Sequence, residues 1–234
     1  MVTPKQHPLR CLPMKYVVAV FITILLGFQL LACKGNSTAL TTNNTLDSMT
    51  YDSFLNHLSE EKSTIKENDY LSAKAILFSV VDTMIPHYWV GTTWDFNGTS
   101  TEPKHGNIAC GYFLTTTMKQ TGYTINRVYM AQQASSVLIK SYCSDIRTMG
   151  SVAALKKYLL DQPDSSTYIL GLDFHVGFVT KNKGEMYFIH SNYINREGVI
   201  REKIEESQAL ASNSFFMIGS MNANKTRVSE WMNW

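Results

Sequence analysis

The chain has 234 residues, of which 44% are hydrophobic and 12% aromatic, which is enough for one domain with a sizeable core. Its formal net charge is +2 at pH 7, and the three basic residues before position 33 account for that excess. Because the rest of the chain has no basic cluster and no interleaved aromatic and basic patch, the composition argues against nucleic acid as a partner.

The first feature along the chain is a secretory signal. Residues 17–31 are almost wholly apolar, follow Lys15 and end in a Leu-Leu-Ala sequence before Cys33. An apolar run of roughly fifteen residues is short for a membrane span, which favours a cleaved signal over 1–32. The small residue before Cys33 resembles the bacterial lipoprotein pattern, so Cys33 is the predicted lipidation site, with acyl chains such as palmitate. A start at Met14 would give the more usual signal.

A polar segment follows the predicted cleavage point. Residues 33–50 are rich in serine, threonine and asparagine, a composition typical of a flexible tether. The protein is therefore expected to be lipid-anchored in the bacterial cell envelope. Lys34 is not the aspartate that retains lipoproteins at an inner membrane, which favours the outer membrane of a double-membraned cell. Residues 51–234 are expected to form one domain.

Two helices and an aromatic loop are predicted next. Apolar residues recur at helical spacing over 51–66 and again over 70–86. The following stretch contains Trp89 and Trp94 and is punctuated by glycine, which indicates a loop that folds over a cleft. Simple packing is the alternative interpretation of Trp94.

A cysteine occupies the first turn of the next predicted helix. Asn107 is a plausible N-cap for a helix over 108–120, which contains Cys110. Free amides and the positive end of the helix dipole favour a thiolate there, so the pKa of Cys110 is expected to be lowered. Cys143 is predicted to be a core residue. A disulfide between Cys110 and Cys143 remains the alternative, and it would exclude Cys110 as a nucleophile.

The rest of the chain changes from helical to alternating periodicity. The predicted helices cover 129–142 and 151–160, and the predicted strands cover 168–180, 185–193, 199–202 and 214–220, with a hairpin turn at 181–184. Alternation on the first strand places Asp173 and His175 on one face and Phe174 on the apolar face. Across the turn, an antiparallel partner such as His190 can lie within about 4.5–5.5 Å of a residue directly opposite. The helix of Cys110 is expected to pack on the sheet face that carries both histidines.

The order of these residues resembles a known family. The chain is similar to the NlpC-type cell-wall cysteine peptidases, a branch of the papain-like fold, in the order of three elements. Cys110 comes first, His175 follows and is itself followed by Val-Gly, and after a turn Phe-Ile precedes His190. The resemblance covers 88–219 and includes a Gly-Thr-Thr-Trp segment ending at Trp94. It implies an α+β fold in which N-terminal helices pack on a small antiparallel sheet.

The resemblance also implies roles for individual residues. Cys110 matches the nucleophile, His175 the base and His190 the residue that orients the base. Asn192 or Asp173 could orient the ring instead of His190, and both are candidate substrate-binding residues together with Trp94 and Trp89.

The chain departs from the family on both sides of its cysteine and in the aromatic loop. Ala109 and Gly111 replace the family's usual aspartate and serine, and Trp94 replaces a tyrosine near the oxyanion site. An indole N–H cannot both donate and accept as a hydroxyl can, so these departures bear on substrate specificity.

The expected activity is hydrolysis of peptide bonds through a thiol acyl-enzyme. The resemblance implies peptidoglycan stem peptides as substrate and a mechanism without metal or other cofactor. The protein is expected to be a monomer, and its other partner is the membrane that holds its lipid. Zinc is disfavoured because the cysteine and histidines include no short-spaced ligand pair. Two alternatives remain: a non-catalytic surface lipoprotein that binds cell-wall or host ligands, and an acyltransferase on the same fold.

Overall fold

The computed structural model of the protein describes residues 48–234. The predicted signal over 1–32, the lipidation of Cys33 and most of the predicted tether over 33–50 lie outside the described residues. Residues Met49–Trp234 form a compact unit. No helix in this part of the chain is long and apolar enough to cross a membrane.

The helices begin where polar side chains can accept from free backbone amides. Thr50 accepts from the N–H of Ser53 at the start of the first helix, and Ser151 does so for Ala154 in a later one. The helices are α1 (Tyr51–Thr64), α2 (Tyr70–Ser79), α3 (Ile85–Trp89), α4 (Cys110–Gln120), α5 (Arg127–Ala131), α6 (Ser135–Tyr142), α7 (Val152–Leu160), α8 (Gln208–Ala211) and α9 (Lys225–Met232). A π-helical turn, Val80–Met84, connects α2 to α3, and a 3₁₀ turn covers Ile194–Arg196.

The strands form one antiparallel sheet of six strands in the order β1-β6-β2-β3-β4-β5. The strands are β1 (Ser144–Met149), β2 (Ser166–Gly171), β3 (Val176–Asn182), β4 (Glu185–Asn192), β5 (Gly198–Lys203) and β6 (Phe216–Ser220). The tight turn between β3 and β4 lies at Lys183 and Gly184, both with positive φ, inside the predicted hairpin turn.

Both faces of the sheet are covered by apolar clusters. The first cluster joins α1, α2, α4 and α9 to strand residues such as Phe178 and Ile189. The second joins α7 and α8 to Phe188 and Val179 on the opposite face. Strand β2 is buried along its whole length because it is central and covered on both sides. The predicted α+β class, with helices on an antiparallel sheet, is thus confirmed.

The long strand predicted over 168–180 is two strands. The chain turns at residues 172–175, where the backbone N–H of Leu172 donates to the carbonyl of His175 at 2.8 Å. Leu172 is buried, but Phe174 at the tip of this turn is 97% exposed, so its predicted place in the apolar layer is wrong. Side chains alternate between the two faces of a sheet only within a strand. The prediction for Phe174 failed because this residue lies in a turn.

Two smaller helix predictions also need correction. The helix predicted over 129–142 is interrupted between α5 and α6, at residues 132–134. The predicted N-cap Asn107 lies outside α4. Ala109 is the N-cap residue and has no side-chain oxygen to accept from the helix.

A buried carboxylate fixes the two strands that flank β4. Asp82, in the π-helical turn, accepts from Thr180 on β3 at 2.6 Å and from Arg201 on β5 at 2.8 Å. Asn182 donates to its second oxygen at 2.9 Å. A buried charge is tolerated only when it is paired and hydrogen-bonded, as it is here.

Candidate active site

Cys110 begins α4, and hydrogen bonds hold the chain just before it against the sheet. Ser191 on β4 donates to the carbonyl of Ile108 at 2.6 Å. Backbone amides of Val176, Gly111 and Cys110 itself interact with the thiol sulfur, and these favour the thiolate. Burial is the larger effect and raises the pKa of the Cys110 thiol above its ordinary value, so the predicted lowering is wrong.

Gly111 lets α4 lie against α5. A Cβ added at this position would collide with the carbonyl oxygen of Ala131. Any larger residue after Cys110 must therefore move one of the two helices. This contact gives a physical reason for glycine at a position where the resembled family has serine.

We expect Gly111→Ala to lower the free energy of unfolding by about 1–3 kcal/mol, because overpacking against backbone forces a shift of the helix. Urea unfolding followed by circular dichroism measures this change. Gly150→Ala is the matched control, since its Cβ would meet only the Ser214 oxygen at an ordinary 3.8 Å. Equal stability of the two variants would contradict the packing argument.

The two histidines contact each other through their rings. Nε2 of His175 and Nδ1 of His190 are 2.7 Å apart, and both side chains are buried. They are diagonal neighbours, because the β3–β4 register continues to place Gly177 opposite His190. A Cβ on Gly177 would lie 2.7 Å from the Cβ of His190, so a larger residue there would displace the strand or the His190 side chain.

Glu202 extends this pair, and the sequence analysis missed it. Nε2 of His190 lies 3.0 Å from Oε1 of Glu202 on β5. Burial alone would raise the pKa of Glu202, but hydrogen bonds from His190 and Ser207 lower it overall, so the group is a carboxylate. The sequence contained one indication of this contact. The strand predicted over 199–202 follows the strand of His190 in the chain and ends in the acidic residue Glu202.

The hydrogen bonds determine where the ring protons lie. A carboxylate only accepts, so Nε2 of His190 carries a proton and its Nδ1 accepts from Nε2–H of His175. The remaining nitrogen, Nδ1 of His175, therefore has a free lone pair. It is buried and has no hydrogen-bond partner among the described residues.

Both imidazoles are neutral near pH 7. Burial, with the nearby His190, lowers the pKa of His175 well below its ordinary value. Burial also lowers the pKa of His190, against the opposing effect of its hydrogen bond to Glu202. A neutral His175 and a protonated Cys110 thiol, both lining one cleft, are the ground state expected for general-base activation.

The histidine pair does not share the sheet face on which α4 packs. His190 stacks on Phe188, with ring centroids 4.0 Å apart, and Phe188 belongs to the second apolar cluster. Phe113 of α4 instead packs against Phe178 in the first cluster, with ring centroids 6.2 Å apart. Cys110 and His175 reach the same cleft because α4 and β3 both begin beside it. The predicted packing of the cysteine helix on the histidine face is therefore wrong.

The alternative orienting residues lie elsewhere. Asn192 is buried, but its side chain donates to Glu197 at 2.9 Å and accepts from the N–H of Ile194 at 3.0 Å. Asp173 is exposed in the turn between β2 and β3. The structure places His190, rather than either of these, on the ring of His175. Neither Asn192 nor Asp173 lines the main cleft, so their predicted contact with substrate is not supported.

Cys110 and His175 open into a cleft of about 760 Å³. Trp94 lines it, and its contact with substrate stays a prediction. Trp89 does not line the cleft, because it ends helix α3 rather than standing in the predicted loop, and its side chain is fully buried in the first apolar cluster. The aromatic side chains that line the cleft are Trp94, Phe96, Tyr112, Phe174 and Tyr193.

The two cysteines of the described region are free thiols. Cys143 is buried in the first apolar cluster, and burial raises the pKa of its thiol to about 12. The prediction of a core residue is confirmed, and the alternative of a disulfide with Cys110 is wrong. Within residues 48–234, no three histidine, cysteine or acidic side chains converge as a possible metal site.

Comparisons with models of protein families, with curated proteins and with solved structures found no match for this chain.

Proposed function

We propose that the protein is a cysteine hydrolase that cleaves amide bonds through an acyl-enzyme on Cys110. The observation that carries this proposal is the unpartnered Nδ1 of His175, held as an acceptor by His190 and Glu202 in the cleft that Cys110 lines. A buried lone pair without a partner is costly in a folded protein, and such exceptions are concentrated at reactive sites.

The chemistry follows from the positions of the protons. His175 Nδ1 takes the thiol proton as the sulfur of Cys110 attacks the substrate carbonyl carbon. The new positive charge on His175 is stabilised through His190 by the carboxylate of Glu202. His175 then gives its proton to the leaving amine. It next removes a proton from the water that releases the acyl group and regenerates the thiol.

The substrate class in this proposal comes from the resemblance to NlpC-type peptidases. We propose peptide bonds of peptidoglycan stems as the substrate, with the protein in the cell envelope as a monomeric lipoprotein anchored through Cys33. The expected papain-like identity of the fold belongs to the same proposal.

The proposal is tested by trapping the acyl-enzyme. The full chain, incubated briefly with para-nitrophenyl acetate and quenched in acid, is expected to carry one acetyl group that peptide mass spectrometry locates at Cys110. Cys143→Ser should acquire the same group, because Cys143 is buried and its thiol pKa is about 12. Absence of the adduct, or the same adduct on a Cys110→Ala chain, would support a non-catalytic binding lipoprotein instead.

Products distinguish the remaining candidates. Digestion of purified peptidoglycan by a hydrolase adds one water to each cleaved peptide bond, whereas an acyltransferase joins the acyl group to another acceptor. A Cys110-dependent product without added water would assign the acyltransferase function.

A further inference from the structure

The cleft beside Cys110 has aromatic walls and no charged side chain. None of its lining residues is an aspartate, glutamate, lysine or arginine. Two of its aromatic residues, Phe96 and Phe174, are 78% and 97% exposed, so they stand at its mouth. Exposed aromatic side chains around a concave site are typical of surfaces that bind apolar groups.

Two arginines lie over aromatic rings that line the cleft, and both have other partners. Arg127 lies over the ring of Tyr112, with its Cζ 4.9 Å from the ring centroid, and it donates to Thr116 at 2.7 Å and to the carbonyl of Thr99. Arg196 lies on the Trp94 ring and pairs with Asp95 at 3.4 Å. Neither guanidinium is among the cleft-lining groups.

A carboxylate bound inside this cleft would lose water without gaining a cation. Burying an ionised group without a partner costs far more than burying an apolar group of the same shape. The neutral His175 does not supply the missing positive charge before the reaction begins.

From these contacts we infer that the peptide residue donating the scissile carbonyl has an uncharged, apolar side chain that lies against Phe174 and Trp94. This inference rests on the proposed cysteine hydrolase function. The charged groups of an envelope peptide then remain outside the cleft, in solvent.

The experiment compares three para-nitrophenyl esters of nearly equal shape: isooctanoate, the monoamide of adipate, and monoadipate with its free carboxylate. Spontaneous hydrolysis and the Cys110→Ala rate are subtracted. We expect the full chain to hydrolyse isooctanoate with a kcat/KM at least about tenfold above that of monoadipate, because the carboxylate has no partner in the cleft. The amide should lie between them.

A variant with an added positive charge tests whether the cleft is the source of the preference for uncharged esters. Phe174→Arg should reduce the preference for the uncharged ester at least about tenfold, because it adds a cation for the carboxylate. Leu71→Arg is the matched control, since Leu71 is 83% exposed and lies on α2, away from the cleft lining. It should leave the preference unchanged.

The outcomes separate this inference from the function on which it rests. Equal rates for wild type and Cys110→Ala on every ester would overturn the proposed function. Cys110-dependent hydrolysis in which monoadipate is as good a substrate as isooctanoate would overturn the inference alone. Release of fatty acid from phosphatidylcholine vesicles, with no cleavage of an N-acetyl-leucyl anilide, would assign the apolar group to a lipid and overturn its assignment to a peptide.

Discussion

His175→Gln is expected to lower the rate of acylation of Cys110 by about 100 to 10,000-fold, the usual contribution of a positioned general base. The thiol pKa is raised by burial, so little thiolate forms near pH 7 unless His175 removes the proton. The burst of nitrophenol from an acetyl ester measures this rate. His57→Gln is the matched control, because His57 is exposed on α1.

The pH profile gives this variant a second readout. The wild-type rate should stay nearly constant from about pH 6.5 to 8.5, because the pKa of His175 lies below its ordinary value and the pKa of the thiol above its own. In His175→Gln only the spontaneous thiolate reacts, so its rate should rise about tenfold per pH unit over the same range. Parallel profiles for the two proteins would exclude His175 as the base.

Glu202→Leu is expected to lower the same rate by about 10 to 100-fold, the range found when a carboxylate that orients a metal-bound histidine is removed. Without the carboxylate, Nε2 of His190 no longer has to carry the proton. His190 can then place its proton on Nδ1, where it opposes Nε2–H of His175 instead of accepting from it.

Glu202→Gln separates proton placement from charge. The glutamine oxygen can still accept from Nε2–H of His190, so this variant should lose less than about tenfold if Glu202 acts by fixing the tautomer. A fall in the acylation rate as large as that of Glu202→Leu would show that Glu202 acts through its negative charge. Wild-type rates in both variants would remove Glu202 from the mechanism. Urea unfolding of each variant checks that it remains folded.

The uncharged lining of the cleft restricts the proposed substrate in a way that the resemblance to NlpC-type peptidases does not predict. Peptidoglycan stems are rich in carboxylates, whereas the lining of this cleft is uncharged. The two are compatible when an uncharged residue occupies the cleft and the carboxylates face solvent. Trp94 and Gly111 carry no hydroxyl, whereas the resembled family has a tyrosine and a serine at the positions that these residues match.

Local patterns in the sequence determined those features of the site that depend on residues close together in the chain. The first-turn position of Cys110 followed from helical spacing, and the meeting of His175 with His190 followed from a hairpin whose turn contains Gly184. These predictions succeeded because a helix or a hairpin brings together residues that are close in the chain.

Tertiary structure decided what depends on distant segments. The carboxylate of Glu202, the burial of Trp89 and the raised pKa of Cys110 all result from packing between elements far apart in the sequence. Periodicity shows which face of an element is apolar but not which other element covers it, nor how much water that contact removes. Desolvation therefore outweighed the backbone amides that favour the thiolate at Cys110, although only the free amides of the first helical turn could be anticipated from the chain.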